Sequence, residues 1–242
     1  MFVRENDSDA FVAKFISTTF LLALTMTTPL IPPTFLFRFA APCIKTDKLW
    51  TPKGKIEFPE SHRVPSFGEL ENRPVFADLR MAWSEKGLAF SVKVVGKKQE
   101  LWCRPTRIED SDGINIWIDT RNTQNVHRAS RFCHHFVVLP QGGFRDPHAP
   151  LAVLCEIPRA RENPKRIKED AIKARSEVKK TGYSIRAFIP AEAMTGFDTN
   201  DHRHLGFSYA VVDRELGWQT FAAGNEFPIT NDPSLWGTLD LI

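Results

Sequence analysis

Two short runs limit the fold of this chain more than anything else in it: GLAFSVKVV (87–95) and GINIWID (113–119). In both, every second residue is aliphatic or aromatic. That period belongs to a strand, whose successive side chains point to opposite faces, and not to a helix with its 3.6-residue repeat. The same alternation marks FLFRFA, with Phe35, Phe37 and Phe39 on one face, and returns in VFADLRMAW, RFCHHFVVLP, IKARSEVKK, YSIRAFIP, LGFSYAVVD, WQTFAAG and WGTLDLI. Nine or ten strands of ordinary length result.

The punctuation between these runs sets their pairing. SEKG joins VFADLRMAW to GLAFSVKVV, and Thr181-Gly182 joins IKARSEVKK to YSIRAFIP, so each couple reads as a hairpin. PAEAMTGF reads as one short helical turn opened by Pro190 and closed by Gly196. Many short strands without a βαβ rhythm predict an all-β chain, an antiparallel two-sheet β-sandwich. Nineteen Phe, six Trp and 17 Pro suit a sheet protein with many loops.

Residues 34–242 read as a single sandwich domain, and residues 1–33 as a leader outside it. FISTTFLLAL (15–24) is apolar but too short for a membrane-spanning helix. The stretch before it carries three acids against Arg4 and Lys14, whereas an export signal needs a basic start. The leader is therefore a weak signal-like or disordered segment, with Met26 as an alternative start, and the compartment leans cytoplasmic.

Net charge is +3, too small to point to nucleic acid, and no nucleic-acid or membrane partner is expected. Residues 156–180 hold nine Lys or Arg against five Asp or Glu, the mixture of a solvated face. Cys43, Cys103, Cys133 and Cys155 form no CxxC pair and read as free thiols, since a domain of this length folds without staples.

Signatures of catalysis are missing: the chain contains no GxSxG, HExxH or phosphate-binding loop, and no catalytic residue is assigned. His127, Cys133, His134 and His135 are zinc-ligand types, but a strand sends His134 to the face opposite Cys133 and His135. Asp110 and Asp112 before Gly113 read as turn chemistry in preference to a calcium site. No metal or other cofactor is expected.

Four segments in order resemble the family 9 carbohydrate-binding modules of the DOMON-like sandwich group: ADLRMAWSEKGLAFSVKV, EDSDGINIWIDTRN, TGYSIRAFIPAEAMTGFD, and LGFSYAVVDRE with DPSLWGTLDLI. The resemblance spans residues 34–242. It implies a non-catalytic module whose loop aromatics stack on the apolar face of a sugar while polar side chains take its hydroxyls. On this chain the implied residues are Trp102 and Arg104 in one loop, with Trp218, Asn225 and Phe227 in the late loops. Trp102 facing Trp218 or Phe227 is the expected ring pair. Trp83, Trp117 and Trp236 are read as packing residues. The segment from Gly142 to Asp170 and the HRASRFCHH stretch depart from the family pattern. A glycan is the expected partner; the alternative is an interaction or scaffold protein that keeps the sandwich without a sugar and binds a protein.

Overall fold

The chain alternates where the sheet needs it to, and the strands close on one another through the first of them. In the computed structural model, which describes residues 31–242 except 52, 55, 56 and 169, eleven strands run in chain order. They are β1 (Ala40–Lys45), β2 (Ala77–Ser84), β3 (Gly87–Val95), β4 (Gly113–Asp119), β5 (Cys133–Leu139) and β6 (Leu151–Cys155), then β7 (Lys173–Lys179), β8 (Gly182–Pro190), β9 (His204–Asp213), β10 (Gly217–Thr220) and β11 (Gly237–Leu241). Pro33–Ile242 form one compact unit. The leader assignment falls on residues that lie almost wholly outside the described ones.

One sheet has the order β6-β5-β4-β9-β11-β1, with β10 also on β9; the other is β1-β2-β3-β8-β7. β1 is common to both. Its first half pairs with β11 (Ala40 opposite Thr238) and its last two residues with β2 (Ile44 opposite Ala82), both in parallel. All other strand pairings are antiparallel. The molecule is thus the expected two-sheet antiparallel sandwich, nearly closed by one strand that changes sheets.

The inner faces meet in one core. Leu79, Met81 and Trp83 of β2, Phe90 of β3 and Ile185 of β8 pack on Ile114, Ile116 and Ile118 of β4, Phe136 of β5 and Phe207 of β9. The apolar half of each alternating run supplies these residues, so a one-residue slip would turn the whole set outward. A buried amide ties the sheets together: Gln219 of β10 accepts from Phe76 and Ala77 and donates to the Ala77 carbonyl at 2.8 Å.

The two hairpins form as read. Ser84 pairs with Gly87 and Lys179 with Gly182. Gly182 sits at φ 153°, and a Cβ there would lie 2.1 Å from the Val94 carbonyl, so only glycine fits. The helical turn after Pro190 is a single 3-10 turn, Ala191–Ala193.

Two readings need correction. FLFRFA is not a strand: Pro33–Leu36 form a one-turn helix, held by Thr34 N–H bonding Glu71 Oε1 at 2.7 Å, and pairing begins only at Ala40. Phe35 and Phe37 are exposed, while Phe39 stacks on Phe67 at 4.2 Å. The segment from Gly142 to Asp170, where no strand is expected, contains one: Leu151–Cys155 add β6 to the edge of the first sheet. β4 is buried on both faces. The four cysteines are free, as expected. No helix among the described residues is long and apolar enough to cross a membrane.

Candidate ligand-binding site

The outer face of the β4 sheet offers no open platform. Trp117, Ala210, Val212 and Cys133 are covered by Ala129, Ile157, Ile229 and Trp236 from the loops. Trp117 also stacks on His135 at 4.7 Å. Trp83, Trp117 and Trp236 are buried, which fits their reading as packing residues. The Trp236 indole also fixes the late loop, because its N–H donates to the Ile229 carbonyl at 2.8 Å.

That loop gathers three of the five expected ligand residues. Trp218, at the start of β10, and Asn225 and Phe227, in the loop after it, line one cavity of about 330 Å³ with Ile229 and Thr230. Asn225 is exposed; Trp218 and Phe227 are half-buried and rest on the Trp117 cluster. Sites for small ligands have this make-up and begin at about 300 Å³: apolar walls with a few polar groups. Phe227 also stacks on Phe35 at 4.7 Å, so one of its faces is already taken.

The other two residues lie elsewhere and are differently engaged. Arg104 and Arg214 place their guanidinium carbons 3.8 and 4.0 Å from the Trp102 ring centroid. At a stacking height of about 3.5 Å, two planar cations that close to one centroid would overlap on a single face. They therefore take opposite faces, and Trp102 makes no ring contact with Trp218 or Phe227 among the described residues.

This stack is mounted on Ser111 and Asp112, both buried. Asp112 accepts from the Trp102 N–H at 3.0 Å and the Arg214 N–H at 2.8 Å; Ser111 Oγ accepts from the Arg104 N–H at 2.8 Å. The charge of Asp112 is met by Lys97, whose ammonium donates to it at 3.1 Å and to both oxygens of Asp213 at 2.8 Å. Burial alone would discharge Lys97, but the hydrogen bonds and charges of Asp213 and Asp112 outweigh it and hold its pKa above the ordinary value. A lysine thus stands where a cation bound by these acids would be. Asp110 pairs with Arg107 instead.

The histidine cluster is dispersed. His134 faces inward and accepts from the Thr195 N–H at 2.8 Å, while His135 faces outward and bonds Asn115 Oδ1 at 2.9 Å. Burial lowers the pKa of each to about 4. His127 is exposed beside Asp232, and burial raises the Cys133 thiol to about 11. Among the described residues no group of three or more His, Cys, Asp or Glu could hold a metal.

The sequence profile of the carbohydrate family 9 binding domain-like family matches residues 45–242. The chain belongs to that family. A family 9 carbohydrate-binding module from Caldicellulosiruptor kristjanssonii, solved with cellotriose, shares the fold with a TM-score of 0.53 at 12% identity, covering 84% of this chain and 93% of its own. A family 9 module from the same organism solved with glucose matches at the same score and identity, covering 84% of this chain and 96% of its own. At that identity the likeness establishes the family 9 fold and leaves the ligand residues to be argued from this chain. No curated protein matches the sequence. Sequence patterning does not single out Arg214 or Lys97. The sign that marks them is faint: each adjoins a strand end, in the KK and DRE stretches.

Proposed function

We propose that this chain is a non-catalytic glycan-binding module, and that a sugar seats in the cavity shared by Trp218, Asn225 and Phe227. The observation that carries the reading is the convergence of two aromatic side chains and one exposed amide on one cavity in a family 9 fold. A pyranose presents an apolar C–H face to an indole, and its hydroxyls require partners such as the Asn225 amide. The sugars bound in the two similar modules support the assignment.

The second reading, an interaction protein without a sugar, rests on a separate feature. Phe35, Leu36 and Phe37 are exposed at a groove of about 590 Å³ beside His127 and Asp232. The two readings part in a glycan array followed by calorimetry. For the sugar reading, Trp218→Ala lowers affinity at least tenfold, the effect of losing an engaged aromatic anchor. Asn225→Ala, on an exposed residue, lowers it severalfold with an unchanged melting temperature. An array without a single binder, or variants that bind as well as the parent, would refute the assignment.

A further inference from the structure

We infer that Arg104, Trp102 and Arg214 form an anion-recognising subsite, so that the preferred glycan is an acidic one, carrying carboxylate or sulfate groups. The inference deepens the glycan-binding reading and rests on it.

Three observations carry it. First, the cations are unanswered. Arg104 and Arg214 are both exposed, and among the described residues neither forms an ion pair. The neighbouring charges are committed: Lys97 to Asp112 and Asp213, Arg107 to Asp110, and Glu215 to the N–H groups of Lys98 and Gln99. Two guanidinium groups are thus held across one ring with neither paired directly to a carboxylate, which leaves their N–H groups open to an incoming anion.

Second, their geometry suits oxyanions. A guanidinium held over an indole by its carbon leaves N–H groups to donate at the rim of the stack, where they can meet carboxylate and sulfate oxygens two at a time. The ring face prevents the arginine from folding away.

Third, the stack is preorganised. The backbones of all three residues are held by the buried Ser111-Asp112 pair, so ordering them costs little when a ligand arrives. Arg214 stands four residues before Trp218, which limits their Cα atoms to about 14 Å apart. One oligosaccharide can therefore meet both the cavity and the stack.

The test titrates the full chain with an oligogalacturonide, a heparin-derived oligosaccharide and neutral cellotriose, followed by calorimetry and tryptophan fluorescence. An acidic oligosaccharide should bind at least tenfold more tightly than cellotriose, with the advantage shrinking as NaCl rises. Which acid binds distinguishes carboxylate from sulfate recognition. Arg104→Ala with Arg214→Ala should remove that advantage, bringing the acidic sugars down to the affinity of cellotriose, and Arg214→Lys should restore only part of it because an ammonium cannot stack as a fork. Cellotriose binding as tightly as either acid would overturn the subsite and leave the glycan-binding reading intact. So would an unchanged acid preference in the double variant. Binding of no saccharide would end both. A single-stranded oligonucleotide that binds more tightly than either acidic sugar would also overturn the inference, since stacked Arg and Trp could equally serve nucleic acid.

Discussion

Replacing Lys97 by Met should destabilise the fold severely, although the residue is a lysine near a loop. Its side chain is 3% exposed, and those of Asp112 and Asp213 are 0% exposed. Met keeps the aliphatic stem and removes only the ammonium, so two carboxylates stay buried without their cation. Breaking a buried pair in this way costs about 3–5 kcal/mol. In a unit of this size each kcal/mol moves the melting temperature by about 2–4 °C, which gives a fall of about 6–20 °C. Urea denaturation at several salt concentrations measures it, and 1 M NaCl should leave the difference nearly intact because a buried pair is poorly screened. The raised pKa of Lys97 gives the pH signature. Its contribution is complete below the unfolded value of about 10.5 and is lost as pH climbs through the folded one, so the gap between parent and variant stays flat through neutral pH. Adding Asp213→Asn should recover part of the loss by removing one stranded charge. A cost below about 1 kcal/mol, or a difference abolished by salt, would show that the ammonium is solvated and refute the reasoning.

Gly182→Ala should cost about 1–3 kcal/mol in urea, because a Cβ meets the Val94 carbonyl at 2.1 Å and φ is positive; an unchanged midpoint would contradict the hairpin geometry. The histidine pKa values predict acid sensitivity: His134 and His135 are neutral when folded to about pH 4 but protonate near 6.5 when unfolded, so stability is full above 6.5 and falls between 6.5 and 4. His135→Gln should flatten that slope by roughly half, measured as the urea midpoint against pH. Thiol titration should count four cysteines after denaturation without reductant. Native protein at pH 8 should react slowly, since burial raises Cys103 to about 12 and Cys133 and Cys155 to about 11.

Period-two patterning is a reliable guide wherever one face of a strand enters the sandwich, as in β3 and β8. It misleads at Phe35, Phe37 and Phe39, where alternate phenylalanines serve three separate contacts, and the true first strand contains Pro42 and reads poorly as AAPCIK. β6 escapes notice because LAVLC is short and apolar throughout, with no alternation to read, though Pro150 and Pro158 bracket it. The late-loop residues can be anticipated together because they are neighbours in sequence. The Trp102 stack cannot, since Arg214 lies over a hundred residues away and reaches the ring only through the Asp112 bond. Long-range pairing of this kind leaves no period to read.

The strand that changes sheets also sets an order of events during synthesis. β2 and β3 can pair as soon as both leave the ribosome, and so can β4 and β5. β1 has only Ile44 and Lys45 to hold against β2, and the four residues of β11 that pair with it follow the other ten strands. Roughly 200 residues separate the two, which at about 5–20 residues per second leaves β1 largely unpaired for about 10–40 seconds. For that interval the chain carries an open edge with apolar Cys43 and Ile44 uncovered, the exposure that invites pairing with another nascent copy. Closure by β11 ends it, and the Lys45 N–H then bonds the Ile242 carbonyl at 2.8 Å.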